Sequence, residues 1–195
     1  DHIGIRTVVL DRTEVTSLQQ PGRFIFKVNG VPIMCKGSNW VPLDMFHSRD
    51  ADRYEAAFAL VEESGCNILR CWGGNVYEDT AFFHWCDTHG VMVWQDFAMA
   101  CAEYPQDEEF YACIATEAQA VVRKLRNHPS LILWCGDNEC DTFWLGRGMD
   151  PGENKITRQV LADVVRRHDP ARPYLPSSPY VAPEIARGAS QKLMP

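Results

Sequence analysis

The chain has 195 residues, and 46% of them are hydrophobic, which is enough apolar material to bury a substantial core. A formal net charge of -7 leaves no basic stripe that could neutralise phosphates, so we expect neither a nucleic-acid partner nor a membrane partner. No apolar stretch is long enough for a membrane-spanning helix. These limits favour a globular protein whose ligand is small or uncharged.

Eight cysteines are spread through the chain without any CxxC pair. They lie within the apolar patterns of the predicted strands and helices, so we interpret them as mostly reduced core residues rather than disulfide partners or metal ligands. Reduced cysteines favour a cytoplasmic location. If the chain is part of a longer protein, a periplasmic location remains an alternative. The cysteines are Cys35, Cys66, Cys71, Cys86, Cys101, Cys113, Cys135 and Cys140.

The first part of the chain predicts β-structure. Residues 1–20 contain the β-rich stretch Ile3–Leu10 followed by polar residues, and we interpret them as a leftover strand and a linker. Phe24, Phe26 and Val28 then alternate with other residues before Asn29-Gly30, a pair that readily supplies two positive φ angles. This pattern predicts a β-hairpin.

From Ile33 onward, short apolar strands alternate with amphipathic helices, which is typical of repeated βα units and a parallel sheet. The predicted strands are Ile33–Trp40, Asn67–Trp72, Val91–Phe97, Leu131–Asn138 and Pro173–Ser178. The helices between them carry their apolar residues within Tyr54–Val61, Phe82–Cys86, Phe110–Leu125 and Ile156–Val165. Gly65 and Gly90 are predicted to end the first two helices, and Pro129 stops the third from continuing.

Both a doubly wound sheet and a (β/α)₈ barrel produce this alternation, so the ends of the strands must decide between them. No glycine-rich phosphate loop follows the first strand, which disfavours a dinucleotide-binding fold. The carboxyl ends of the strands carry polar and aromatic side chains instead, and in a barrel these ends converge on one mouth. We therefore predict a partial (β/α)₈ TIM barrel containing about strands 1–5, preceded by a strand remnant and a hairpin.

The residues at this predicted mouth suit a sugar, because aromatic rings cover the C–H faces of a pyranose while polar groups bind its hydroxyls. Glycoside cleavage needs one carboxylic acid to protonate the leaving oxygen, and Glu139 is the natural candidate, although an exposed loop acid would look the same. Asp137 is interpreted as structural, and Asn39 and Trp40 are expected to shape the mouth. The candidate site residues are Glu139 as catalytic acid, and Asn138, Arg70, Trp72, Asp96 and Trp94 as substrate-binding residues.

Five motifs resemble the β-mannosidase-like branch of glycoside hydrolase family 2: FKVNGVPIMCKGSNWVP, NILRCWGGNVYE, HGVMVWQDF, LRNHPSLILWCGDNE and DPARPYLPSSPY. The resemblance implies that residues 1–20 end a preceding β-sandwich domain and that residues 21–195 form the first half of a catalytic barrel. It also implies a retaining mechanism with Glu139 as general acid/base. Asn138 would bind the sugar 2-hydroxyl, and Arg70 would lie beside the nucleophile carboxylate.

The chain departs from this family at Asp137, where many relatives have Asn, and the family's nucleophile is expected beyond Pro195. We therefore expect the 195 residues alone to be inactive, and their uncovered strand edges to favour self-association. The mechanism requires no cofactor or metal, and His84, His89 and His128 are interpreted as structural. Other β-glycosides, such as galactosides or glucosaminides, and a non-catalytic carbohydrate-binding barrel remain open alternatives.

Overall fold

The structure is a computed structural model that describes residues 3–13, 17, 19–20, 22–183 and 185–186. Two sheets and five α-helices are present within these ranges. None of the helices described is both long and apolar enough to cross a membrane.

The first sheet is antiparallel and has three strands in the order β1-β2-β3. Asn29 and Gly30 join β2 to β3 with φ angles of 50° and 77°, so the predicted hairpin is confirmed. β1 pairs with β2 across the predicted domain boundary between residues 20 and 21, while that boundary itself stays a prediction. The strands are β1 Val8–Arg12, β2 Phe24–Val28 and β3 Val31–Ile33.

The second sheet is parallel and has five strands in sequence order, as expected for consecutive βα units. Its strands are β4 Gly37–Trp40, β5 Ile68–Cys71, β6 Met92–Asp96, β7 Leu131–Cys135 and β8 Tyr174–Leu175. The prediction of one strand from Ile33 to Trp40 is wrong, because the chain changes sheets between β3 and β4. The side chain of Asn67 fixes this link by donating to the Met34 carbonyl and accepting from the Lys36 N–H.

Helices connect the parallel strands and cover one face of their sheet. They are α1 Tyr54–Glu63, α2 Thr80–His89, α3 Glu108–Leu125, α4 Cys140–Gly146 and α5 Leu161–His168. Gly65 and Gly90 follow α1 and α2 as predicted, and both are left-handed, with φ angles of 65° and 70°. Three further short helices are the 3₁₀ segments His47–Arg53 and Pro151–Glu153 and the π segment Ile156–Val160, which leads directly into α5.

Two apolar layers hold the parallel sheet in place. One layer packs between the sheet and the helices, and the other packs between the sheet and β2. β7 contributes to both layers, with Trp134 on the helix side and Leu133 on the other side, which explains its continuous apolar sequence. Burial of each such large side chain contributes roughly 1.5–3 kcal/mol. The resulting frame fixes the edge where the parallel strands end.

Trp40 belongs to the helix-side layer and not to the mouth, so the expectation that it shapes the mouth is wrong. Its ring lies 5.7 Å from that of Phe58 and 4.9 Å from that of Phe82, and its indole N–H donates to Glu78. The cause is strand alternation: Trp40 is in register with Cys71, while its neighbour Asn39 is in register with Arg70. Asn39 is exposed and therefore faces the opposite side.

Four of the eight cysteines are buried, so the prediction of mostly core cysteines is correct only for half of them. All eight lie in the described part of the chain and are free thiols. Cys66 is half-buried, and Cys35, Cys101 and Cys113 are exposed. One of the exposed thiols, Cys101, lies at the candidate site.

Candidate active site

The carboxyl ends of β5, β6 and β7 meet at one edge of the parallel sheet. Pairing continues past the ends of the strands, because Asn138 forms parallel bridges with Ala100 on one side and Ser178 on the other. The backbone N–H of Asn138 donates to the Met99 carbonyl at 2.9 Å. These bridges hold the segment after β7 between its two neighbours, which fixes the positions of Asn138 and Glu139.

Arg70 contacts two of the other predicted site residues, Asp96 and Asn138. Its Nη2 donates to Asp96 Oδ2 at 2.7 Å and to Asn138 Oδ1 at 2.9 Å. The Arg70 side chain is 19% exposed while that of Asp96 is fully buried, so the ion pair is shielded from solvent on the carboxylate side. The guanidinium therefore orients the amide of Asn138 and neutralises the charge of Asp96.

Both carboxylate oxygens of Asp96 are occupied within the protein. In addition to Arg70, they accept from the indole N–H of Trp94 at 2.8 Å and from the backbone N–H of Gly73 at 3.0 Å. Burial raises the pKa of Asp96 to about 6, although Arg70 and the other donors oppose this shift. A direct hydrogen bond from a sugar hydroxyl to Asp96, which the sequence predicted, would require one of these contacts to be given up.

Glu139 is exposed and points toward this group of residues. Its Oε2 accepts a hydrogen bond from the thiol of Cys101 at 3.3 Å, and the same sulfur accepts from Asn138 Nδ2 at 3.4 Å. A continuous chain of contacts thus joins Glu139 to Arg70 through Cys101 and Asn138. Glu139 has a φ of 63° and immediately precedes α4, so the backbone turns sharply at this residue.

Cys101 is a site residue that sequence reasoning missed, because the cysteines were interpreted as core residues. It is exposed and has a φ of 47°, and its backbone N–H donates to the Asn138 carbonyl at 2.8 Å. No local pattern in the sequence indicates this contact, since the thiol and Glu139 are 38 residues apart.

Asp137 lies directly behind the site and is completely buried, in agreement with its interpretation as structural. Its Oδ1 accepts from the Ser177 hydroxyl and from the Cys140 backbone N–H, while its Oδ2 has no hydrogen-bond partner within the described residues. Burial raises the pKa of Asp137 to about 7, and the nearby Asp141 carboxylate contributes to the shift. Arg158 binds Asp141 through two hydrogen bonds of 2.8 and 2.7 Å.

The two predicted aromatic residues occupy different positions. Trp94 is half-buried and lies two residues before Asp96 on β6, with the Arg70 guanidinium 5.4 Å from its ring centroid and the Phe24 ring stacked 6.0 Å away. It lines a cavity of about 600 Å³ together with Arg70 and Asn39. Trp72 follows the end of β5 and is half-buried, with its ring against the α-carbon of Gly74.

The three histidines interpreted as structural lie outside this group. His128 contacts Asp87 at 2.7 Å and stacks on Phe83, and His89 contacts the Trp85 carbonyl at the end of α2. His84 lies in the middle of α2. Among the residues described, no group of three His, Cys, Asp or Glu side chains is arranged to hold a metal ion.

A parallel βα sheet with an arginine, an amide and an exposed carboxyl group at the ends of its strands defines part of a TIM-barrel catalytic domain. The family model described as glycosyl hydrolases family 2, TIM barrel domain, matches residues 23–186, and the chain therefore belongs to this family. Both the predicted family resemblance and the predicted partial (β/α)₈ barrel are confirmed.

Relatives of known name agree with this family. The chain is 39% identical over 186 residues to the β-mannosidase of Capra hircus, covering 89% of this chain and 21% of the relative. It is 36% identical over 197 residues to β-mannosidase B of Thermothelomyces thermophilus, covering 92% of this chain and 23% of the relative. The chain thus spans about a fifth of the length of these relatives.

Solved structures show the same similarity. The β-D-mannosidase of Dictyoglomus thermophilum superposes with a TM-score of 0.81 at 42% identity, covering 91% of this chain and 22% of that one. A β-glucuronidase of Bacteroides uniformis superposes with a TM-score of 0.68 at 21% identity, covering 89% and 21%, which supports the fold alone.

Proposed function

We propose that the protein containing this chain is a retaining exo-β-glycosidase that hydrolyses β-mannosides, with Glu139 as its general acid/base. The observation that carries this proposal is the exposed Glu139 carboxyl group, joined through Cys101 to the Asn138–Arg70–Asp96 group at the carboxyl edge of the sheet. The relatives named β-mannosidase support the choice of sugar.

In the first step, Glu139 donates its proton to the glycosidic oxygen while a second carboxylate attacks the anomeric carbon. The leaving group departs as an alcohol, and a glycosyl-enzyme ester forms with inversion at that carbon. In the second step, Glu139 removes a proton from water, whose oxygen attacks the anomeric carbon, breaks the bond to the nucleophile carboxylate and restores the original configuration. An exposed carboxyl group that can exchange protons suits both roles.

Arg70 supports the second carboxylate in this proposal. Its guanidinium is partly exposed, and its positive charge would favour the ionised form of an incoming nucleophile. Asp96 is held entirely within the protein, so we assign to it the positioning of Arg70 rather than contact with sugar. The nucleophile is proposed to come from a segment of the parent protein outside the described residues.

The amide of Asn138 is proposed to bind the sugar 2-hydroxyl. Because its Oδ1 already accepts from Arg70, its Nδ2 group has the remaining capacity, as a donor. A hydrogen bond at this hydroxyl strengthens as the oxocarbenium-like transition state forms, and it therefore contributes to rate. Trp72 and Trp94 are proposed to form walls of the sugar-binding subsite. Trp94 would do so from the cavity that it lines together with Arg70.

Substitution of the acid tests the proposal. In the full-length protein, Glu139→Gln is expected to reduce kcat/KM for an unactivated aryl β-mannoside by about 10²–10⁴-fold, the usual contribution of general acid catalysis. Glu63→Gln, at an exposed position of α1, is the matched control and should have no effect. The 195-residue chain alone should be inactive. Turnover by this chain that Glu139→Gln abolished would contradict that expectation. Unchanged turnover in full-length Glu139→Gln would instead favour a non-catalytic role for this carboxyl group.

A panel of aryl glycosides tests the choice of sugar. We expect the full-length protein to prefer β-mannosides over β-galactosides and β-glucosaminides by kcat/KM. Preference for either of the other sugars would retain the acid/base assignment and reject the mannoside specificity.

A further inference from the structure

The thiol of Cys101 makes two contacts with the residues proposed to act on substrate. It donates to Glu139 Oε2 at 3.3 Å and accepts from Asn138 Nδ2 at 3.4 Å. The sulfur atom therefore bridges the proposed acid/base and the proposed ligand of the sugar 2-hydroxyl. Both contacts join protein atoms directly.

The backbone around Cys101 holds the thiol in this position. Its N–H donates to the Asn138 carbonyl, and the Asn138 N–H donates to the Met99 carbonyl. These two hydrogen bonds join the segment after β6 to the segment after β7. The hydroxyl of Tyr104 accepts from the Ala100 N–H at 2.9 Å and braces the same turn. A non-glycine residue with a φ of 47° is uncommon, and this local conformation directs the Cys101 side chain toward Glu139.

The protonation state of the thiol agrees with a donor role. Desolvation and the adjacent Glu139 carboxylate both raise the pKa of Cys101. The sulfur therefore keeps its proton near neutral pH, and it is poorly suited to act as a nucleophile.

We propose that Cys101 is a positioning residue for general acid catalysis. Its thiol fixes Oε2 of Glu139 and leaves Oε1 to face the glycosidic oxygen, while its contact with Asn138 keeps the acid in register with the sugar ring. This inference rests on the proposed function of Glu139. It predicts that loss of the thiol impairs proton donation more than it impairs binding or folding.

The test compares Cys101→Ala and Cys101→Ser in the full-length protein, with Cys113→Ala as a control at another exposed cysteine, on α3. The readout is kcat/KM for two aryl β-mannosides, one with a dinitrophenolate leaving group that needs no proton and one with a poorly departing alkyl-substituted phenolate. Cys101→Ala should lower kcat/KM about tenfold for the poor leaving group and less than about twofold for the good one. Cys101→Ser, which keeps a donor, should recover most of this loss, and Cys113→Ala should behave as wild type.

Other outcomes have distinct meanings. If Cys101→Ala lost kcat/KM equally with both leaving groups, or lost none with either, the positioning role would be overturned. Thermal melting of each variant shows whether an equal loss reflects unfolding. Failure of serine to restore proton-dependent turnover would also reject hydrogen bonding by the thiol as the cause. If the wild-type protein hydrolysed neither mannoside, the proposed function itself would fail, whereas an active wild type with an unaffected Cys101→Ala variant rejects this inference alone.

Discussion

Asp96 and Asp137 are both buried carboxyl groups, yet their surroundings differ. Asp96 has the Arg70 guanidinium within 2.7 Å, which favours its ionised form near neutral pH. Asp137 receives hydrogen bonds only from neutral groups, and the guanidinium of Arg158 is engaged by Asp141. The charge on Asp137 is therefore the less well compensated of the two.

This difference predicts a pH-dependent effect of Asp137→Asn on stability. Because burial raises the pKa of Asp137 to about 7, the folded protein binds an extra proton between about pH 4 and pH 7. The stability from this proton is present below about pH 4 and is lost as the pH rises through 7. The free energy of unfolding of Asp137→Asn, measured by urea titration, should therefore exceed that of wild type by on the order of 2 kcal/mol at pH 8. At pH 4 the two values should nearly match.

Asp150→Asn is the control for that comparison, since Asp150 lies at the start of a short 3₁₀ helix away from the buried network. It should not reproduce the pH dependence. An Asp137→Asn variant that was equally destabilised at both pH values would show that the hydrogen bonds of the carboxyl group, and not its charge, determine its contribution.

At the scale of elements, the sequence predicted those strands and helices whose apolar pattern lies within the element itself. The apolar run of β7 and the regular apolar spacing of α3 both led to elements close to those observed. α4 was missed because its seven residues are too few to show helical periodicity, and it starts directly at the left-handed Glu139. The break between β3 and β4 was also missed, because the link between them is held by the side chain of Asn67, which is distant in the sequence.

The candidate site was predictable to the same extent. Arg70, Asp96 and Asn138 each lie at or just beyond the carboxyl end of a parallel strand, and this position predicts that they meet. Trp40 was misplaced because alternation shows which residues share a face but not which face turns toward the helices. Cys101 could not be found, since its role depends on a positive φ and on a contact with a distant segment.

The turn after β5 must pack closely against the segments after β6 and β7, and Gly73 permits this. A β-carbon at Gly73 would lie 2.2 Å from the Met99 carbonyl oxygen and 3.1 Å from the Asn138 nitrogen. Both neighbours are backbone atoms and cannot move independently of the bridge that holds Asn138. The absence of a side chain at this position therefore permits the close packing that brings Asn138 within reach of Arg70.

Gly73→Ala is accordingly expected to displace Asn138 from Arg70 and to lower kcat/KM of the full-length protein by on the order of 100-fold. Gly146→Ala is the matched control, because a β-carbon at Gly146 in α4 meets nothing within 4 Å, and it should leave activity unchanged. A fully active Gly73→Ala variant would mean that the three segments can separate without disturbing the site.

At the scale of the whole molecule, the described residues leave one side of the fold uncovered. The cavity of about 600 Å³ beside β4 is lined by apolar side chains from the hairpin and by Arg70 and Trp94. β4 pairs with β5 along one edge, and the described residues provide no strand for its other edge. Exposed apolar surface next to an unpaired strand edge favours association with another chain.

We therefore expect the 195-residue chain, when studied alone, to form concentration-dependent oligomers through this side. Met34 lines the cavity and is 78% exposed, so Met34→Glu should place a charge in the contact and shift sedimentation toward the monomer. Met45→Glu makes the same change at a residue that is 88% exposed and does not line the cavity, and it should leave the association unchanged. A wild-type chain that sediments as a compact monomer at all concentrations would show that this side needs no cover, because its polar residues and the hairpin already protect the strand edge.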